Sequence, residues 1–161
     1  MDPSKIGLGE RIAAASGLAL FIFMFFPWFG VEDVDASGNA WEVLSFIDIL
    51  LFLVVLVAVA VGVARATDNM PSGLPAPPDL IVAAAGAVAF LLILFRILVT
   101  PDLGGSFGGF EVEVDTTRKI GLFLGLIAAG GIAYGGYTAM NEPAAQAPAA
   151  PPPPAPPPTA T

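Results

Sequence analysis

Residues 43–64 read VLSFIDILLFLVVLVAVAVGVA, twenty-two positions that hold one charge, Asp48. A helix needs about 20 apolar residues to cross a hydrocarbon core. The run is therefore long enough to span a bilayer, and three further stretches join it: residues 12–28, 80–100 and 120–137. The spacing predicts an all-α membrane protein with four transmembrane helices over residues 1–140. Short connections make consecutive helices antiparallel neighbours in an up-down bundle.

Composition agrees with this class. Of 161 residues, 56% are hydrophobic and 12% charged, and the mean hydropathy is +0.81. A soluble domain has charged residues nearer a quarter. The chain has no Cys and no His, which removes disulfides, Cys/His zinc sites, thiol nucleophiles and imidazole bases. No nucleophile and base occur together, so we expect neither an enzyme nor a bound cofactor. A net charge of -8 with six Lys+Arg leaves no basic surface for nucleic acid.

Several signals mark the ends of the spans. Lys5 and Arg11 precede the first, but FFPWFG at 25–30 closes it without a small-residue cleavage site, as expected of a helix leaving a membrane and not of a signal peptide. Asp79 after PAPP is expected to cap the third helix, Pro101 to stop it, and Thr116 or Thr117 to cap the fourth. Trp28 and Trp41 are expected as interface anchors at one end, and Tyr134 and Tyr137 at the other. Glu10 and Arg11 are adjacent, do not face each other on a helix, and are both expected to reach water. From residue 141 the chain turns to NEPAAQAPAAPPPPAPPPTAT, a Pro/Ala-rich tail of the kind expected to be disordered.

Lys and Arg near the spans set orientation. Lys5, Arg11 and Arg65 share one side, and Arg118 and Lys119 the other. This predicts a multi-pass plasma-membrane protein with both termini cytoplasmic. The two outer loops then carry Glu32, Asp33, Asp35 and Glu42, and Asp102, Glu111, Glu113 and Asp115. GFEVEVD at 109–115 alternates like a strand. With FGVEDVD and the turn residues Ser37, Gly38 and Asn39, it leaves room for a short β-element. Three carboxylates on one strand face could meet a hard cation, but the pattern is that of an ordinary solvated edge, and no metal site is assigned.

Two charges fall inside the spans, Asp48 and Arg96, the latter in LLILFRILVTP at 91–101. Each lies about one turn, roughly 6 to 8 Å, from the same end of the bundle. An intramembrane charge at that depth usually faces a partner, and an Asp48–Arg96 ion pair is the sharpest expectation. Against it, Arg96 could reach the headgroups. Asp48 could also lie in a first turn capped by Ser45; Asn39 and Glu42 offer a second capping box upstream. The last span carries Gly121/Gly125 and Gly131/Gly135 at G-x-x-x-G spacing. Such glycines let backbones approach; packing within the bundle, for example against AAAGAVA at 83–89, is preferred to dimerisation, and oligomer formation stays open.

With FFPWFG, AWEVLSFIDILL, the lone Arg96 and the glycine-rich last helix, the chain resembles small uncharacterised four-helix membrane proteins of high-GC Gram-positive bacteria. The resemblance implies an inner-membrane location and no particular activity. The function expected from the residues is a non-enzymatic accessory or scaffold subunit, in contact with lipid and an envelope partner. The other reading is a small transporter or channel component with Asp48 and Arg96 at a polar site.

Overall fold

The computed structural model describes residues 7–31, 37–43, 46–67, 69–99, 106–107, 110–111 and 116–142. The expectations placed on Glu32, Asp33, Asp35, Ser45, Pro101, Asp102, Glu113, Asp115 and the tail from 143 lie outside them. In chain order the elements are α1 (Leu8–Phe23), β1 (Pro27–Val31), β2 (Ser37–Asn39), α2 (Ala40–Val43), α3 (Phe46–Ala66), α4 (Pro78–Leu98), β3 (Ser106–Phe107), β4 (Phe110–Glu111), β5 (Thr116–Arg118) and α5 (Ile120–Asn141).

The described residues are mostly helical, and among them three helices are long and apolar enough to cross a membrane. These are α3, α4 and α5, of 21, 21 and 22 residues, whose most apolar 18-residue stretches have mean hydropathies of 3.0, 2.6 and 1.6. At a rise of 1.5 Å per residue each is about 32 Å long. The run 12–28 behaves differently. It is not one helix: α1 covers 16 residues, Leu8–Phe23, and Pro27 already belongs to β1. Phe25 N–H and Phe26 N–H bond back three residues, to Ile22 O at 3.1 Å and Phe23 O at 3.0 Å, the tightening common at helix ends. Pro27 then has no N–H to continue the ladder.

The expected caps also move. Thr116 and Thr117 lie in β5, which pairs antiparallel with β1, and Thr117 Oγ1 donates to Gly30 O at 3.2 Å. The helix they were expected to cap starts at Ile120, after an extended Lys119 whose N–H donates to Trp28 O at 2.9 Å. Asp79 does not cap α4 either. Pro78 takes the first helical position, with Pro77 before it, a position where a missing N–H costs nothing. Ser37–Asn39, read as a turn, forms β2 against β1. The sheet order is thus β2-β1-β5, with β3-β4 a separate two-stranded pair.

Asn39 and Glu42 do form a reciprocal capping box. Asn39 N–H donates to Glu42 Oε2 at 3.0 Å, and Glu42 N–H to Asn39 Oδ1 at 3.2 Å. The helix they start is α2, described to Val43, and α3 is described from Phe46. Asp48 therefore sits in a first turn.

Glycines set how closely the helices pack. A Cβ on Gly136 would lie 2.5 Å from Ala83 N of α4. A Cβ on Gly135 would run into the backbone of Ala13 and Gly9 of α1, and one on Gly86 into Ala133 of α5. Here α5 lies against α1 and α4 at backbone range, the close approach that small residues permit. The start of α1 meets the end of α5, since Gly9 faces Ala139 while Gly131 faces Ser16. On the other side of α1, Gly17 and Gly62 would place Cβ atoms 3.1 Å from Ala58 and Ala14, which seats α1 on α3.

Candidate functional site

Two ends of the helical body carry polar structure. At one end, Glu10 lies in the first turn of α1, Arg65 in the last turn of α3 and Asp79 in the first turn of α4. Each sign suits the partial charge at its helix end. Arg65 Nε lies 2.9 Å from Glu10 Oε1. Its Nη2 donates to both oxygens of Asp79, at 3.1 and 3.0 Å. One guanidinium thus joins three helices.

The carboxylates are further engaged. Glu10 Oε2 accepts from Gly7 N–H at 3.1 Å, as the third helical residue of a capping box does. Glu142, just past α5, accepts Gly9 N–H on Oε1 at 2.7 Å, so the fourth long helix is tied to the same end. The Glu10 side chain is 5% exposed and that of Asp79 16%, against 35% for Arg65. Glu10 is therefore not the solvated residue expected: its neighbour Gly9 lets α5 come close, and the carboxylate turns inward to Arg65. Beside the cluster is a cavity of ≈ 10 Å³, lined in part by Glu10, Asp79, Gly62 and Gly136. That is about the space of one water.

At the opposite end the sheet covers the helices, and Trp28 is the pivot. Expected at an interface, it is instead fully buried. Its Nε1 donates to Phe23 O at 2.7 Å. A Cβ on Gly125 would come within 2.7 Å of the indole, and one on Gly121 within 2.6 Å of Pro27 O. The first G-x-x-x-G pair of α5 therefore receives a tryptophan and a strand. Trp41 is half-buried and joins Phe21, Phe25 and Phe52 in a ring cluster with centroids 5.3–6.0 Å apart. Tyr134 and Tyr137, 62% and 60% exposed, lie toward the Glu10 end of α5.

Asp48 is buried, and its Oδ1 accepts from Ile49 N–H at 2.6 Å. Arg96 is half-buried in the last turn of α4. Among the ion pairs between described residues, both belong to Arg65, and the expected Asp48–Arg96 pair is not one of them. Asp48 finds its acceptor role locally, at the unsatisfied amides of a helix start. Arg118 Nε donates to Ile97 O at 2.8 Å, closing the end of α4 beside Arg96.

No group of three or more metal-ligating side chains occurs among the described residues. No protein-family model, curated protein or solved structure matches the chain. What the arrangement does chemically is fasten helices: a charged clasp at one end, a sheet and a buried indole at the other.

Proposed function

We propose that the chain is a multi-pass plasma-membrane protein, a four-helix antiparallel up-down bundle that serves as a non-enzymatic accessory or scaffold subunit. α1 completes the bundle by reaching from the charged end to the sheet end, and its shorter length of about 24 Å is offset by local thinning of the bilayer. Arg11 and Arg65 then mark the cytoplasmic end, with both termini there. The β2-β1-β5 sheet stands on the outer face and meets an envelope partner.

One observation carries this reading over a transporter: the interior is closed at backbone range. Gly9, Gly135, Gly86 and Gly136 leave no room for even a methyl group between α5 and its neighbours. The cavity at the charged end, at ≈ 10 Å³, holds one water at most. A substrate path between these helices would require them to separate.

A photo-crosslinking residue in place of Ser37, exposed on β2, tests the proposal in native membranes. We expect one discrete adduct with an envelope protein, and no flux above empty vesicles when the protein is reconstituted. Solute flux in proteoliposomes, with no protein adduct at Ser37, would favour the transporter.

A further inference from the structure

The first turn of α1 is finished from the far end of the chain. A helix start leaves its first amides without partners inside the helix. Among them, the Gly9 N–H donates to Glu142 Oε1 at 2.7 Å, across 133 positions of sequence. Two glycines make the room. A Cβ on Gly7 would overlap Glu142 Oε2, and a Cβ on Gly9 would strike the backbone of Ala139. The end of α5 therefore lies against the start of α1 closely enough for one carboxylate to reach across.

The sign of that carboxylate identifies the helix it serves. A negative charge at the C-terminal end of α5 opposes the partial charge there, whereas the same charge at the N-terminal end of α1 is favoured. The end of α5 has its own closure: Glu142 N–H donates to Thr138 O at 3.0 Å, and Asn141 Nδ2 donates to Tyr137 O at 2.7 Å. The backbone at Glu142 is extended, at φ -70° and ψ 135°. Pro143 follows in the sequence, and the residue before a proline is held out of the helical region. Proline thus stops α5 at the residue whose side chain meets Gly9.

We propose that Glu142 is a catch: it caps α1 from the root of the Pro/Ala-rich tail, so that the seating of the first turn of α1 follows the position of residue 142. That turn also carries Glu10, whose carboxylate meets Arg65. A shift of the tail root is thereby passed to the charged clasp. The start of the first helix is completed only when the end of the last one arrives, whichever way the bundle faces the membrane.

Amide proton spectra and hydrogen exchange of the whole protein in detergent micelles test this, because an N–H bonded to a carboxylate resonates downfield. In Glu142→Ala we expect the Gly9 amide proton to move upfield and the amides of residues 8–11 to exchange about fivefold faster, the usual effect of losing a cap. Glu142→Gln keeps an acceptor oxygen and recovers most of the protection. Pro143→Ala leaves the carboxylate but frees the backbone that aims it, and produces the same changes at smaller amplitude. The central amides of α3 and α4 keep their rates in all three. An unmoved Gly9 resonance in Glu142→Ala, a loss in Glu142→Gln as large as that in Glu142→Ala, or faster exchange spread through α3 and α4 would overturn the catch. Unchanged spectra in Pro143→Ala would overturn its control by the tail root.

Discussion

Arg65 shows how much one side chain does at the charged end. It is about one-third exposed, yet the Glu10 carboxylate that it meets is almost wholly buried. Removing the cation leaves Glu10 with the Gly7 amide as its other partner and Asp79 without the Nη2 that bridges its two oxygens. Breaking a buried pair on one side costs about 3–5 kcal/mol, and exposed pairs are worth ~0–1 kcal/mol. For a half-screened cluster we expect ~1–3 kcal/mol from Arg65→Met. Thermal unfolding in detergent should fall by several degrees, and Glu10→Gln combined with Arg65→Met should recover part of the loss. A melting temperature unchanged by Arg65→Met would show that the clasp contributes nothing. The sequence did not reveal this cluster, because its three members are far apart along the chain and only the fold brings Glu10 inward. Asp48 and Arg96 were conspicuous because they interrupt apolar runs. The contact observed at Asp48 is a local one, from the Ile49 amide.

At the scale of elements, hydropathy located α3, α4 and α5 to within a few residues, since each is a long apolar run with turn residues at its borders. It ran too far at 24–28, where MFFPW is just as apolar but the chain has already left α1 and enters β1 at Pro27. Apolar content cannot separate a buried strand from the end of a helix. Only Pro27 signalled the change. The glycines of α5 were visible as a pattern but not as a destination: the first pair receives Trp28, and Gly135 meets the backbone of α1. Gly125→Ala should therefore act through the tryptophan. A new Cβ 2.7 Å from the indole must move it, at ~1–3 kcal/mol for an overpacked site. The near-ultraviolet circular dichroism of Trp28 should weaken and its emission shift to the red. Unaltered spectra would mean that Trp28 does not sit on Gly125.

At the scale of the whole molecule, the proposed bundle has four crossing helices, α1 included, with the charged clasp on one side and the sheet on the other. Residues 7–10, 65 and 79 gather at one end through Arg65 and the Gly9 amide. Trp28, Lys119 and β2 gather at the other. The chain contains no Cys, so single cysteines can be introduced without a background to remove. The direct measurement is labelling of Ser4→Cys, Ser37→Cys and Ser72→Cys by a membrane-impermeant maleimide in intact cells stripped of wall. We predict labelling of Ser37→Cys alone, with Ser4→Cys and Ser72→Cys reacting only after permeabilisation. Reaction of Ser4→Cys and Ser37→Cys from the same side would overturn this arrangement, since α1 would then not cross.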